Sequence, residues 1–191
     1  MNWLLLTTLL SIVTLQACCS SLLAVGTATA ITTAWNDSRT LGTQLDDNII
    51  AINITYSLYK NSHIRQAARI KNTVYHGDVL LTGQSLSSAL TEDAIKIIRE
   101  INGTKKIYNA IRKKSPINLQ SILRDMWITN KIRFNIFLKD NIYSSDIKIT
   151  TENKEVFLIG KITPEKENIL REIIKQTAPT VSIIFIPYLH K

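Results

Sequence analysis

The stretch RIKNTVYHGDVLLTG at residues 69–83 returns 77 positions later as DIKITTENKEVFLIG at residues 146–160. Aligned without a gap, the two stretches share six identical residues. The identical pairs are Ile70 with Ile147, Lys71 with Lys148, Thr73 with Thr150, Val79 with Val156, Leu81 with Leu158, and Gly83 with Gly160. Because self-similarity over such a distance is typical of a duplicated structural unit, we infer that the chain contains one small domain twice.

Each copy has the pattern of a β-hairpin followed by a helix and a third strand. A strand leads into a polar turn, and a second, largely apolar strand then ends at a glycine. A helix also precedes each unit, so we predict an α+β fold of two αββαβ domains, each a three-stranded mixed sheet packed on two helices. The predicted segments are turns at 76–78 and 153–155, helices at 91–101 and 164–176, and last strands at 106–111 and 181–188.

Gly83 and Gly160 occupy the same place in the two copies, where a strand passes into the helical segment. We interpret both as structural glycines, required for an unusual φ or for close packing, rather than as ligand contacts. Each copy has only about 70 residues, a size at which an isolated core is marginal. We therefore expect the two domains to pack against one another.

The beginning of the chain has the pattern of a bacterial lipoprotein signal. Residues 4–15 are mostly apolar and run into LQAC at 15–18, with leucine three places before the cysteine and a small residue directly before it. The run is shorter than the roughly 20 apolar residues that span a bilayer. We predict a signal peptide at 1–17, cleavage before Cys18 and lipid on the Cys18 sulfur.

Two further features bear on this export signal. Residue 19 is cysteine rather than aspartate, so the common inner-membrane retention signal is absent and we expect lipid anchoring at the periplasmic face of the outer membrane. Residues 1–3 contain no Lys or Arg. That departure leaves open an uncleaved anchor, extended through the second apolar stretch at 22–34.

Behind the signal peptide we predict three parts. Residues 18–45, rich in Ser, Ala, Thr and Gly, form a lipidated flexible tether. The two domains follow at 46–115 and 124–191. Ser115-Pro116 marks the boundary between them, because a residue before proline is pushed out of helical geometry.

The charge of the chain favours an anionic partner. The formal net charge is +8 with a pI near 9.5, and no charged residue occurs before Asp37. Such a balance suits nucleic acid or acidic lipid head groups. Because export separates the protein from nucleic acid, we predict an anionic phospholipid, phosphatidylglycerol or cardiolipin, and no nucleic-acid partner.

The arrangement of reactive residue types argues against an enzyme. The sequence has no Ser/His/acid or Cys/His set and no glycine loop that could cradle phosphate. The adjacent cysteines at 18 and 19 and the scattered histidines at 63, 76 and 190 do not make a metal set. We therefore predict a non-enzymatic protein with no catalytic residues, no cofactor and no metal.

A helix predicted at residues 125–139 (DMWITNKIRFNIFLK) opens the second domain. At 100° per residue, Ile128, Ile132 and Ile136 form one stripe spaced by four. We expect this stripe to face the core.

A second apolar face on the same helix carries Trp127, Phe134 and Phe137, with Lys131 and Arg133 at its margins. Aromatic rings flanked by cations are typical of helices that lie in a membrane interface, where the rings enter the head-group region and the cations meet lipid phosphates. The competing interpretation is that the three rings pack against the first repeat. From the residues alone, both remain open.

Several stretches carry a resemblance to the BON-domain family. They are GTQLDD at 42–47, VLLTGQS at 79–85, IYN at 107–109, WIT at 127–129 and TTEN at 150–153. The resemblance covers nearly the whole chain. It departs from the family pattern at Pro179, where a glycine is usual before the last strand.

The resemblance implies a lipoprotein that binds anionic phospholipid, localises to the division site and maintains outer-membrane integrity, with links to the barrel-assembly machinery. It therefore favours lipid binding by the helix at 125–139. The alternative is a protein-interaction adaptor for envelope machinery such as the barrel-assembly complex.

Overall fold

A computed structural model of the chain describes residues 41–139 and 147–187. The first repeat consists of α1 (Leu41–Lys60), α2 (Ser62–Ala67), β1 (Ala68–Tyr75), β2 (Asp78–Ser85), α3 (Ser88–Arg99) and β3 (Ile107–Lys113). The second consists of α4 (Leu119–Phe137), β4 (Ile147–Glu152), β5 (Glu155–Gly160), α5 (Pro164–Thr177) and β6 (Ser182–Pro187). The predicted signal peptide and the lipidation site Cys18 lie outside the described residues.

The two repeats have the same sheet topology. In the first, β2 lies between β1 and β3, antiparallel to β1 and parallel to β3. In the second, β5 lies between β4 and β6 with the same directions. The predicted fold, two α+β domains with a three-stranded mixed sheet in each, is therefore confirmed.

The first repeat contains one helix more than predicted. The short helix α2 follows α1 after Asn61, whose side chain accepts hydrogen bonds from the backbone N–H of His63 at 3.1 Å and of Ile64 at 3.2 Å. Such an N-cap satisfies amides that would otherwise have no partner. The order in this repeat is thus ααββαβ, whereas the described residues of the second repeat, 119–139 and 147–187, give αββαβ.

Each hairpin closes through a two-residue turn in the left-handed region. The residues are His76 (φ 52°) with Gly77 (φ 82°), and Asn153 (φ 50°) with Lys154 (φ 65°). Positive φ at both positions matches the right-handed twist of the flanking strands. Gly77 is also required by space, because a Cβ there would lie 2.7 Å from the carbonyl oxygen of Gly103.

A buried aspartate on the preceding helix holds each turn. Asp47 of α1 accepts hydrogen bonds from the backbone N–H groups of His76 and Gly77, both at 2.9 Å. Asp125 of α4 accepts from those of the second turn at 2.5 and 3.2 Å. The two carboxylates therefore fix the position of each helix relative to the hairpin beneath it.

The two strand-ending glycines hold matching places. Gly83 has a φ of +123°, and any Cβ on it would collide with the carbonyl oxygen of Arg69 on β1. Gly160, with a φ of +156°, pairs with Ile147 as Gly83 pairs with Ile70.

Each sheet buries one face under its own helices. In the first repeat the core includes Val79 and Leu81 of β2 with Ile54 and Leu58 of α1 and Ile98 of α3. In the second it includes Val156 and Leu158 of β5 with Ile132 and Ile136 of α4 and Leu170 of α5.

The opposite faces of the two sheets pack on one another. Leu80 of β2 and Phe157 and Ile159 of β5 lie in one shared cluster, and all three are buried. The two central strands are therefore covered on both faces, which explains their continuous apolar runs. The expectation that the repeats pack together is confirmed.

Polar contacts also cross between the repeats. Glu152, at the end of β4, is buried, accepts a hydrogen bond from the side-chain amide of Gln84 at 2.9 Å and contacts the Arg69 guanidinium. Arg112 pairs with Glu155 at 2.9 Å. Because the carboxylate of Glu152 has partners from the first repeat, its burial is compensated.

Two helix starts differ from the predictions. Helix α1 begins at Leu41, so residues 41–45 of the predicted tether are helical, and α4 begins at Leu119 rather than at 125. Within residues 41–139 and 147–187, no helix combines the length and the apolar character needed to cross a bilayer.

Candidate functional site

Helix α4 contains all five residues predicted to bind lipid. It has 19 residues and is thus about 28 Å long. It starts behind Asn118, whose side chain accepts a hydrogen bond from the backbone N–H of Ser121 at 2.9 Å. This cap lies just after Pro116, where the chain leaves the first repeat. The helix therefore has two more turns at its N-terminal end than the sequence pattern had indicated.

The buried face of α4 is the predicted isoleucine stripe. Ile132 and Ile136 are fully buried, and the partly buried Ile128 packs against the same core cluster. On the same face, the hydroxyl group of Thr129 lies 2.7 Å from that of Thr151 on β4. The core prediction for this helix is confirmed.

The aromatic face of α4 does not pack against the first repeat. Trp127 is 69% exposed, Phe134 60% and Phe137 69%. Burying large aromatic side chains is a major source of stability, and these three contribute little of it to the described fold. The packing alternative for this face is therefore wrong.

The exposed apolar surface is larger than the three predicted rings. Leu119, Leu123, Met126 and Leu138 are each more than half exposed as well. At 100° per residue, these side chains and the three rings fall within an arc of about 120°. We call this surface the α4 stripe, consisting of Leu119, Leu123, Met126, Trp127, Phe134, Phe137 and Leu138.

One margin of the α4 stripe carries two cations that face solvent. Lys131 and Arg124 are both exposed and lie about 20° apart around the helix axis. The Arg124 guanidinium also reaches the Ser121 hydroxyl group at 3.4 Å. This margin presents positive charge next to the rings.

Arg133 lies at the opposite margin and is held against the sheet. Its guanidinium donates a hydrogen bond to the backbone carbonyl oxygen of Ile149 on β4 at 2.7 Å. Burial lowers the pKa of the guanidinium from its ordinary value, although the group stays a cation. Both predicted cations are exposed residues, and Arg133 in addition links α4 to β4.

Arg133 also lines a cleft of about 340 Å³ between the repeats. Arg69 and Lys71 of β1 line the same cleft, and the Lys71 ammonium lies 3.7 Å from Glu152. Burial lowers the pKa of Lys71 despite that carboxylate. The cleft reaches the α4 stripe at Met126, so both long edges of the stripe border basic groups.

Helix α1 carries a matching stripe in the first repeat. Adding 78 to the residue number brings the turn-holding Asp47 onto Asp125, and the buried Ile54 onto Ile132. The exposed apolar side chains of α1 then fall on positions of the α4 stripe, with one exception at Asn130. We call this surface the α1 stripe, consisting of Leu45, Ile49, Ile52, Tyr56 and Tyr59, whose counterparts are Leu123, Trp127, Asn130, Phe134 and Phe137.

The margins of the two stripes differ in charge. Arg124, Lys131 and Arg133 of α4 are replaced in α1 by Asp46, Asn53 and Thr55. The duplicated helix therefore presents apolar surface in both repeats, but the cations beside the α1 stripe, Lys60, Arg65 and Lys71, do not occupy the positions that are basic in α4.

In the part of the chain that the structure describes, no three His, Cys, Asp or Glu side chains are placed to hold a metal ion. Another depression, of about 870 Å³, lies along α1 and is bordered by Tyr56, Tyr59, Ile70 and Lys71. It is an open surface rather than an enclosed pocket. Among the described residues, α1 and α4 therefore present extended apolar faces.

Comparison with known proteins identifies both domains. The BON domain profile matches residues 46–114 and again residues 124–182. The chain is 33% identical to the 21 kDa hemolysin of Actinobacillus pleuropneumoniae over 148 residues, which cover 78% of this chain and 76% of that protein. It is 28% identical to the outer membrane lipoprotein DolP of Haemophilus influenzae over 170 residues, which cover 89% of this chain and 87% of the relative.

Among solved structures, the C-terminal domain of CdsD, a structural protein of the type III secretion system of Chlamydia trachomatis, is similar over 75% of this chain and 67% of its own. Its TM-score of 0.27 and 10% identity are too low to support a conclusion. Two profile matches, which together span most of the described residues, show that the chain belongs to the BON domain family.

Proposed function

We propose that this protein is an outer-membrane lipoprotein, anchored through an acylated Cys18, that binds anionic phospholipid through the α4 stripe. The observation that carries the proposal is the exposure of seven apolar side chains along one face of α4, with basic groups along both edges. The export pattern at residues 15–18 supports the anchor. The relationship to a protein named outer membrane lipoprotein supports the location.

The physical basis is the match between this face and a membrane interface. An in-plane helix buries its apolar side about 5–10 Å into the boundary between head groups and acyl chains. The rings of Trp127, Phe134 and Phe137 would enter that layer, while Lys131 and Arg124 stay at the level of the phosphates. Each cation near an anionic surface contributes about 1 kcal/mol. The charged margins would therefore supply the preference for anionic lipid.

The strength of the helix contact suggests its role. Complete burial of a large apolar side chain contributes about 1.5–3 kcal/mol, so three rings supply several kcal/mol. Acyl chains on Cys18, at about 0.8 kcal/mol per buried methylene, would exceed that by a wide margin. The helix is therefore unnecessary for attachment. It would instead determine which lipids surround an anchored protein and how the domains lie on the membrane.

In the cell, such a preference would concentrate the protein where anionic lipid is enriched. We place the protein at the division septum and in the maintenance of outer-membrane integrity, as the family resemblance implies. The seven-residue α4 stripe supports a surface-binding role over catalysis.

Vesicle flotation tests the proposal. Residues 19–191, which lack the predicted signal peptide and the acylated cysteine, should float with phosphatidylglycerol or cardiolipin vesicles and remain unbound with phosphatidylcholine. Trp127→Glu should abolish flotation, because it removes a ring and adds a negative charge beside the phosphates. Ile49→Glu changes the matching position of α1 and should keep the preference for anionic vesicles. Equal flotation with neutral and anionic vesicles would sink the proposal.

The second candidate function is an adaptor for envelope machinery such as the barrel-assembly complex. It is favoured by the spacing of the α4 stripe, because an apolar helix face can also enter a protein groove. A groove does not need cations on both edges, so the basic margins favour lipid. Two results together would replace our proposal with this one. The wild-type chain would pull down a barrel-assembly component that Trp127→Glu does not, and the wild-type chain would not bind vesicles.

A further inference from the structure

The α1 stripe is the largest exposed apolar surface of the described residues that lipid binding leaves unused. Its five side chains are between 56% and 67% exposed. They follow one another at intervals of four, three, four and three residues. This is the spacing of alternating d and a positions in a heptad, with Leu45, Ile52 and Tyr59 at d and Ile49 and Tyr56 at a. A second helix can pack along such a seam.

The charges beside the α1 stripe have opposite signs at its two ends. Asp46 and Lys60 each follow a d residue and so both occupy e positions, 14 residues apart. The Arg65 guanidinium lies over the Tyr59 ring, 4.9 Å from its centre, and adds positive charge at the Lys60 end. Asp46 therefore places a negative charge at the N-terminal end of the stripe, where Lys105 lines the same depression as Asp46, and the C-terminal half borders Lys60, Arg65 and Lys71.

We propose that a second copy of this chain covers the α1 stripe, with the two α1 helices packed antiparallel about a two-fold axis near Ile52. A two-fold interface uses the same patch on both copies, and an antiparallel pair brings e positions opposite e positions. Asp46 of one copy then lies beside Lys60 of the other, twice. A parallel pair would instead bring e positions opposite g positions, so Asp46 and Lys60 would not pair with one another.

The same charges argue against a membrane as the occupant. At the positions where α4 has Arg124, Lys131 and Arg133, α1 has one acid and two uncharged residues. An anionic surface would repel Asp46 at one end of the stripe while Lys60, Arg65 and Lys71 attract it at the other. A partner with both a negative and a positive end fits better, and a reversed copy of α1 is such a partner.

The proposed dimer is small. The seam from Leu45 to Tyr59 is about 21 Å long at 1.5 Å per residue. A single helix pair of this length buries less than the roughly 800 Å² per partner of a standard interface. We therefore expect a weak dimer in solution. Anchoring both copies in one membrane would raise their effective concentration and favour pairing.

Sedimentation of the full acylated chain in a density-matched non-ionic detergent tests the proposal. The wild-type chain should show a reversible monomer–dimer equilibrium, and Ile52→Asp should be monomeric. Asp46→Lys alone and Lys60→Asp alone should each weaken the dimer by about tenfold or more, since each replaces two attractive pairs with two repulsive ones. The double variant Asp46→Lys with Lys60→Asp should restore it.

The outcomes that would overturn the proposal are separate from those that test lipid binding. Trp127→Glu lies on the other stripe and should dimerise normally. All substituted positions of α1 are exposed, so circular dichroism should show an unchanged fold. A chain that stays monomeric at every concentration would refute the dimer. A double variant no better than the single ones would refute the antiparallel arrangement, and loss of vesicle binding by Ile52→Asp without any dimer would assign the α1 stripe to the membrane.

Discussion

Trp127→Ala should weaken the binding of the unacylated chain to anionic vesicles by roughly 5- to 30-fold. In the free protein 69% of this residue is exposed, so the rest of it is already covered and gains nothing from insertion. Complete burial of a side chain of this size is worth about 1.5–3 kcal/mol, of which about two-thirds, ~1–2 kcal/mol, remains to be gained in the membrane. A free-energy difference of ~1–2 kcal/mol changes a partition coefficient by roughly 5- to 30-fold.

Partition coefficients measured by vesicle sedimentation at several lipid concentrations check this value. Phe134→Ala should give a slightly smaller loss, because Phe134 is 60% exposed and its side chain is smaller. Ile49→Ala, at the matching position of α1, should change the coefficient by less than about twofold. If Trp127→Ala and Ile49→Ala weakened binding equally, the membrane contact would not be specific to α4, and the reasoning would be refuted.

Three further predictions concern the scaffold that presents α4. Asp125→Ala should lower the free energy of unfolding, measured in urea titrations, by about 3 kcal/mol, because two hydrogen bonds from turn amides to a buried carboxylate are lost. As a control, Asp93→Ala on the exposed face of α3 should change the free energy of unfolding by less than about 0.5 kcal/mol. Gly83→Ala should destabilise the first repeat by at least about 2 kcal/mol, since its Cβ would collide with a β1 carbonyl group; a variant as stable as the parent would show that the strands can separate without cost. Burial lowers the pKa of Lys71 below its ordinary value of 10.5, against the attraction of Glu152. Because the unfolded chain then holds the Lys71 proton more tightly than the folded chain, stability should rise with pH between the lowered pKa and 10.5. Lys71→Met should remove that rise in unfolding titrations. An unchanged pH dependence in Lys71→Met would show that Lys71 does not cause the rise.

The repeat was sufficient to predict most of the fold. Strand pairing in a hairpin depends on residues close in sequence, and the alternation around residues 69–83 and 146–160 contains that information. The third strand and its helix followed from the same pattern in both copies. Helix α2 was missed, because a helix of six residues is too short to show a periodic apolar face.

The extent of the α4 stripe could also have been found from sequence. Leu119 and Leu123 continue the four-and-three spacing upstream of Met126, and Asn118 is a suitable N-cap. The prediction relied on the aromatic residues, two of which lie in the C-terminal half of the helix, and so it omitted these leucines. The α1 stripe was missed for another reason. Helix α1 aligns with α4 at an offset of 78 residues, whereas the repeat of the strands has an offset of 77.

Other features depend on contacts between distant residues. Asp47 and Asp125 hold turns that lie 28 to 30 residues further along the chain, and a lone acidic residue on a helix does not indicate such a partner. The acceptor of Arg133 is a backbone carbonyl group on β4. No pattern of side chains reveals that hydrogen bond, so the sequence could not show that this exposed cation also links α4 to the sheet.

The depth of Trp127 in a membrane tests the lipid-binding proposal most directly. In residues 19–191 with Trp35→Phe, Trp127 is the sole tryptophan. Its fluorescence can be quenched by spin labels attached to lipids at known depths. In phosphatidylglycerol vesicles we predict strong quenching by labels near the head-group boundary, about 5–10 Å deep for an interfacial helix, and weak quenching in phosphatidylcholine. Trp127 that stays unquenched in phosphatidylglycerol vesicles, or is quenched equally in both lipids, would contradict insertion of the α4 stripe into anionic membranes.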